Sequence, residues 1–140
     1  MLTRVLFAVV LMCGMAAPSA WAEETKLVAL GLTDHEATPA ELDKGAELPV
    51  PHFNTGGIAY ALLANVKKGD TVEITLMNGD TPLLHNTELL TEDKPSLLLQ
   101  AGKRGVPAGG WLEGTYHAAV KVVRDGKPII EESSKPMTFE

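Results

Sequence analysis

From Tyr116 to Val123 the chain alternates. Tyr116, Ala118, Val120 and Val122 fall on one side of an extended strand, and His117, Ala119, Lys121 and Val123 fall on the other. A repeat of two residues marks a strand with one face against a core. Asp125-Gly126 follows, and this pair supplies the positive φ angles that a two-residue hairpin turn requires. The stretch from Gly110 to Glu131 is therefore a loop, a long strand, a tight turn and a return strand. It dictates an architecture and names no reaction.

Similar elements recur upstream. Lys26 to Leu32 is a short apolar run and predicts a well-buried first strand. In Thr71 to Met77, Val72, Ile74 and Leu76 point one way and Thr71, Glu73 and Thr75 the other, and Asn78-Gly79-Asp80 is a hairpin signal. The chain then returns through Thr81 to Leu90. Thr91 to Pro95 is a polar turn, and Ser96 to Gln100 is a short apolar strand. Ala101 to Gly110 contains four glycines and one proline and predicts a loop. Met137 and Phe139 alternate after Pro136, which suits a last short strand at a sheet edge. Ile58 to Val66 fits both a helical face and a buried strand; strand is preferred because its neighbours are strands that need partners.

Thr33 to Gly57 is the least regular region. Thr38-Pro39-Ala40-Glu41 carries a capping-box signal with Pro at the first helical position, and Gly45 can end the turn, so one helical turn is expected from Pro39 to Lys44. Pro49-Val50-Pro51 must be extended. A connection this long in a small domain suggests a functional or a flexible loop. The sum is about seven short strands with turn signals roughly every ten residues, the pattern of an all-β, antiparallel, immunoglobulin-like sandwich.

Residues 1–22 read as a signal peptide. Arg4 gives a positive start, Val5 to Ala17 is an apolar run, and Ala20-Trp21-Ala22 is a cleavage site that would leave Glu23 as the mature terminus. The run is shorter than the roughly 20 residues of a membrane-spanning helix. Cys13 lies inside the run behind Met12, which does not suit a lipid-anchor signal. Cleavage after Ala22 would remove the chain's one cysteine, and with it any disulfide, cysteine metal site or thiol nucleophile. The expected product is a periplasmic or secreted single domain, 23–140, with no membrane anchor.

The chain has 12 basic and 18 acidic residues. That balance argues against nucleic acid or anionic lipid as a partner, since both need a basic face.

At Trp111-Leu-Glu-Gly-Thr-Tyr116 the sequence resembles immunoglobulin-like (fibronectin type III-like) domains of bacterial secreted proteins, as it does at Lys68-Gly-Asp-Thr-Val-Glu-Ile74 and Asn78-Gly-Asp80. The resemblance spans roughly Ile58 to Ile130, and its motifs are structural. It implies that Gly-Thr-Tyr opens the next-to-last strand, and it departs from antibody domains in lacking their inter-sheet cysteine pair. A tyrosine there can bury its ring and bond its hydroxyl back to the preceding loop. Trp111 is read as a plug at the end of the sandwich, with an exposed ligand platform as the other possibility.

Chemistry-bearing groups are sparse. His35, His52, His85 and His117 show no ligand spacing. Asp34-His35-Glu36 together with His52 across the long loop could form a copper or zinc site. Met77 and Met137 read as core or edge residues. No Gly-x-Ser-x-Gly element is present. Glu92-Asp93 and Glu131-Glu132 read as solvated, and Gly102-Lys-Arg-Gly105 lacks the context of a phosphate loop.

The leading expectation is a non-catalytic binding or accessory module without a cofactor. It would present the loops Ala101–Gly114 and Thr33–Gly57 to a protein or small ligand in the periplasm, with Lys103, Arg104 and Trp111 as contact residues. The alternative is a periplasmic metal-binding protein using His35 and His52.

Overall fold

The computed structural model describes residues 24–43 and 48–140. The expected signal peptide with its cleavage after Ala22, and the Lys44–Gly45 end of the helical turn, lie outside the described residues.

Among the described residues, seven strands form two antiparallel sheets. They are β1 Lys26–Thr33, β2 Gly57–Val66, β3 Thr71–Asn78, β4 Thr81–Leu89, β5 Lys94–Lys103, β6 Tyr116–Arg124 and β7 Lys127–Ser133. The smaller sheet has the order β1-β2-β5, and the larger β4-β3-β6-β7. The chain changes sheet between β2 and β3, between β4 and β5, and between β5 and β6. The result is an all-β antiparallel sandwich, immunoglobulin-like at this coarse level, with one short helix, α1 Pro39–Asp43, in the first connection.

The core follows the alternation. Val72, Ile74 and Leu76 of β3 and Tyr116, Ala118, Val120 and Val122 of β6 are almost wholly buried. They face Ala59, Ala61, Leu63, Leu97, Leu99 and Ala101 of the smaller sheet. Ile58–Val66 is a strand, and its helical spacing is incidental. β2 is the middle of its sheet, paired on both sides, so it buries side chains on both faces and reads as a continuous apolar run.

Both hairpin turns take the backbone their residues specify. Asp125 and Gly126 have φ of 53° and 78°, and Gly79 opens the β3–β4 turn at 58°. α1 carries a reciprocal capping box. The Thr38 amide donates to Glu41 Oε1 at 2.9 Å, and the Glu41 amide donates to Thr38 Oγ1 at 3.3 Å.

Three expectations need correction. β1 is not well buried, because it is an edge strand in which only Leu32 and Thr33 are enclosed. β5 runs on through Ala101, Gly102 and Lys103, so the loop starts at Arg104. Gly102 is there to let two strands approach: a Cβ on it would stand 2.2 Å from the Gly57 carbonyl oxygen. The tail around Met137 is a single bridge to Tyr116 and not a strand; Pro136 has no amide hydrogen to extend the ladder.

The 34–56 connection is pinned at several points. Gln100 reaches across from β5 and grips the Ala37 main chain, accepting from its amide at 2.7 Å and donating to its carbonyl at 3.0 Å. Thr33 Oγ1 donates to the Pro49 carbonyl at 2.8 Å.

Candidate functional site

The 104–115 loop, the 51–56 segment and the C-terminal tail meet at one end of the sandwich, where three aromatic rings close the core. Tyr116 is fully buried and stacks on Phe139, with centroids 4.0 Å apart and planes 13° apart. Trp111 stands edge-on to both, 5.7 Å from Tyr116 and 5.0 Å from Phe139. Such perpendicular contacts are favoured by the ring quadrupoles. The Tyr116 hydroxyl donates to the Leu112 carbonyl, four residues upstream, as the sequence pattern predicts for a tyrosine corner. The indole N–H of Trp111 donates to the Thr55 carbonyl at 2.9 Å. Gly57 fits beneath these rings, since a Cβ there would lie 3.0 Å from both Trp111 and Phe139.

Trp111 therefore plugs the end of the core, yet it is only half-buried and parts two grooves. One, about 250 Å³, is walled by Leu83, Leu84, Pro107, Trp111 and Leu112, with Lys103 at its rim. The other, about 280 Å³, lies between Phe53, Trp111, Leu112 and Phe139. Phe53 and Leu112 stand 64% and 63% exposed beside them. Exposed apolar side chains grouped beside grooves are a surface feature found at interaction sites and ligand-binding grooves.

Of the three contact residues expected from sequence, the structure brings Lys103 and Trp111 to the same groove. Arg104 is also exposed but turns to Glu36, donating from Nη2 to Oε2 at 3.0 Å. Phe53 and Leu112 were missed. Their signal was an isolated large apolar residue in a segment with no strand periodicity.

Among the described residues, His35 and His52 share no hydrogen-bond partner. His35 Nδ1 lies 2.8 Å from Asp34 Oδ1, and Nε2 lies 2.7 Å from Glu41 Oε2. These hydrogen bonds, the one to Asp34 foremost, hold its pKa above the ordinary histidine value, and His35 in turn holds the Glu41 pKa below the usual carboxylate value. The two nitrogens lie on opposite edges of the ring, so the two carboxylates cannot converge with it on one ion. His52 Nδ1 meets the Glu140 carbonyl at 2.7 Å. Among the described residues no group of three or more His, Cys, Asp or Glu is placed to hold a metal.

Another trough, of about 550 Å³, runs over the outer face of the larger sheet, lined by Glu73, Thr75, Met77, Ala119 and Lys121 among others. Cross-strand pairing sets Lys121 between Glu73 and Glu131 there, as suits a sheet face turned to water.

No protein-family model matches this sequence, and a comparison with curated proteins returns no match. No helix among the described residues is long and apolar enough to cross a membrane.

Proposed function

We propose that this chain is an exported, non-catalytic binding module of the bacterial secreted fibronectin type III-like kind, which holds a protein or small ligand at its Trp111 end. One observation carries the reading: two apolar grooves flank a Trp111 that the core already fixes in place, with Phe53 and Leu112 exposed at their margins. A rigid aromatic in a preset orientation loses little entropy on binding. Lys103 adds a cation at the rim of one groove, so an apolar ligand carrying an acidic group suits it.

The test compares affinity capture from the native extracytoplasmic fraction by the parent chain, by Leu112→Asp and by Leu89→Asp. Leu89 is 62% exposed and lies in β4, away from the grooves' lining residues. The reading expects a captured partner, or a quench of Trp111 fluorescence by a ligand, that Leu112→Asp abolishes and Leu89→Asp spares. Equal binding by all three proteins would remove this surface from consideration.

A further inference from the structure

Trp111 is a fixed ridge between two small grooves. Its indole N–H is bonded to the Thr55 carbonyl, and its ring stands edge-on to Tyr116 and Phe139. Swinging it aside to merge the grooves would break all three contacts. Each groove alone, at about 250 and 280 Å³, falls short of the roughly 300 Å³ at which pockets for drug-sized ligands begin. Paired recesses of this size suit single apolar side chains, the anchors by which a polypeptide seats itself on a protein surface.

The grooves differ in charge. Lys103 lines the first and is absent from the second; Glu113 lines the second and is absent from the first. Both residues are exposed, and neither joins an ion pair among the described residues. Both stand on anchored backbone. Lys103 ends β5 opposite Gly57 of β2, and the Glu113 carbonyl accepts from Asn78 Nδ2 at 3.1 Å. The wall of the first groove is preset as well, because the Gly110 amide donates to the Pro107 carbonyl at 2.9 Å and closes the turn. A site shaped before it is filled loses less free energy to ordering when a ligand arrives.

We propose that the occupant is an extended segment of a partner protein. It carries two large apolar side chains, one for each groove, with an acidic residue beside the first and a basic residue beside the second. Its carboxylate meets Lys103 and its cation meets Glu113. This deepens the reading of the Trp111 end as a binding surface and rests on it.

The experiment titrates the isotope-labelled full chain with synthetic peptides. NMR follows the Trp111 indole and the amides of residues 104–115. Each peptide has two leucines separated by one, two or three serines and is flanked by one aspartate and one lysine, by two aspartates or by two lysines. The termini are acetylated and amidated, so only side chains are charged. At the best spacing the parent is expected to prefer the mixed peptide by about fivefold, since exposed charge pairs are weak. Lys103→Glu is expected to move the preference to the dilysine peptide, and Glu113→Lys to the diaspartate peptide. Serine in place of either leucine weakens binding about tenfold. Leu112→Asp abolishes binding and Leu89→Asp spares it.

The assignment is overturned if no peptide binds, if one leucine serves as well as two, or if both charge variants keep the parent's preference. Decanoate probes the competing case of an acidic amphiphile in one groove. If decanoate moves the loop resonances of the parent but not of Leu112→Asp, and no peptide does, the peptide assignment fails and the Trp111 surface stands. Silence to both probes, together with equal capture by the parent and Leu112→Asp, removes both.

Discussion

Asp70 and Arg124 meet in a two-pronged ion pair, Nε on Oδ1 and Nη2 on Oδ2, both at 2.8 Å. The carboxylate is completely buried and the guanidinium about two-thirds covered. Asp70 Oδ2 also accepts the Lys67 amide at 2.9 Å, and Arg124 Nη2 donates to Thr25 Oγ1 at 2.7 Å. The pair therefore ties the β2–β3 corner, the end of β6 and the start of β1 into one knot. It lies at the opposite end of β2 from Gly57 and the aromatic plug.

Removing Arg124 would leave a buried carboxylate without its counter-ion. Arg124→Leu is expected to lower stability by about 3 kcal/mol, at the low end for such pairs because the guanidinium is partly solvated. The Arg124 hydrogen bonds hold the Asp70 pKa below the ordinary aspartate value, and Asp70 raises that of Arg124. A depressed carboxylate contributes stability that is present above its unfolded pKa and lost as pH falls through the folded one. The parent should lose stability on acidification below about pH 4, the ordinary aspartate range, and Arg124→Leu should lose less. Urea melts of both proteins across that range measure the difference.

Gly102→Ala is expected to be severely destabilising, at about 3 kcal/mol or more, because the new methyl meets main chain that cannot move aside. Gly105→Ala, three residues on, meets nothing within 4 Å and should be close to neutral. A shared loop identity would give similar melting temperatures for the two variants; the β5 register requires them to differ.

Tyr116→Phe keeps the stacked ring and deletes the bond to the Leu112 carbonyl. A loss of about 1 kcal/mol is expected, together with faster amide exchange in residues 111–115. An unchanged exchange pattern would show that the hydroxyl does not hold the loop.

His35 is clamped between Asp34 and Glu41, and its raised pKa gives a definite sign. Its contribution is fully present below the unfolded value near 6.5 and fades as pH rises through the folded value. The depressed Glu41 works in the other direction: its contribution is present above the unfolded value near 4.5 and fades as pH falls through the folded one. The α1 segment should be best ordered between about pH 4.5 and 6.5. An NMR titration of the His35 ring, with amide exchange of residues 38–43, checks this. His35→Gln should abolish the upper limb.

The strands, the turns and the sandwich class were legible in the residues because their causes are local. Alternation sets which side chains of β3 and β6 are buried, and Asp125-Gly126 sets the turn between β6 and β7. The capping box at Thr38 and the tyrosine corner at Tyr116 are local in the same sense, each joining residues three or four apart. Misreadings arose where a residue answers to a distant partner. Gly102 looked like a loop glycine until Gly57 was placed beside it, and β1 looked buried until it proved to be an edge.

The sequence by itself determined the period of the strands, the hairpins and the scarcity of reactive groups. Tertiary structure alone decided that Asp70 would meet Arg124, fifty-four residues away, and that Trp111 would divide two grooves. Neighbourhoods across strands depend on register and on which sheet each strand joins. Those choices are fixed by burial of the whole core, and no short stretch of residues encodes them.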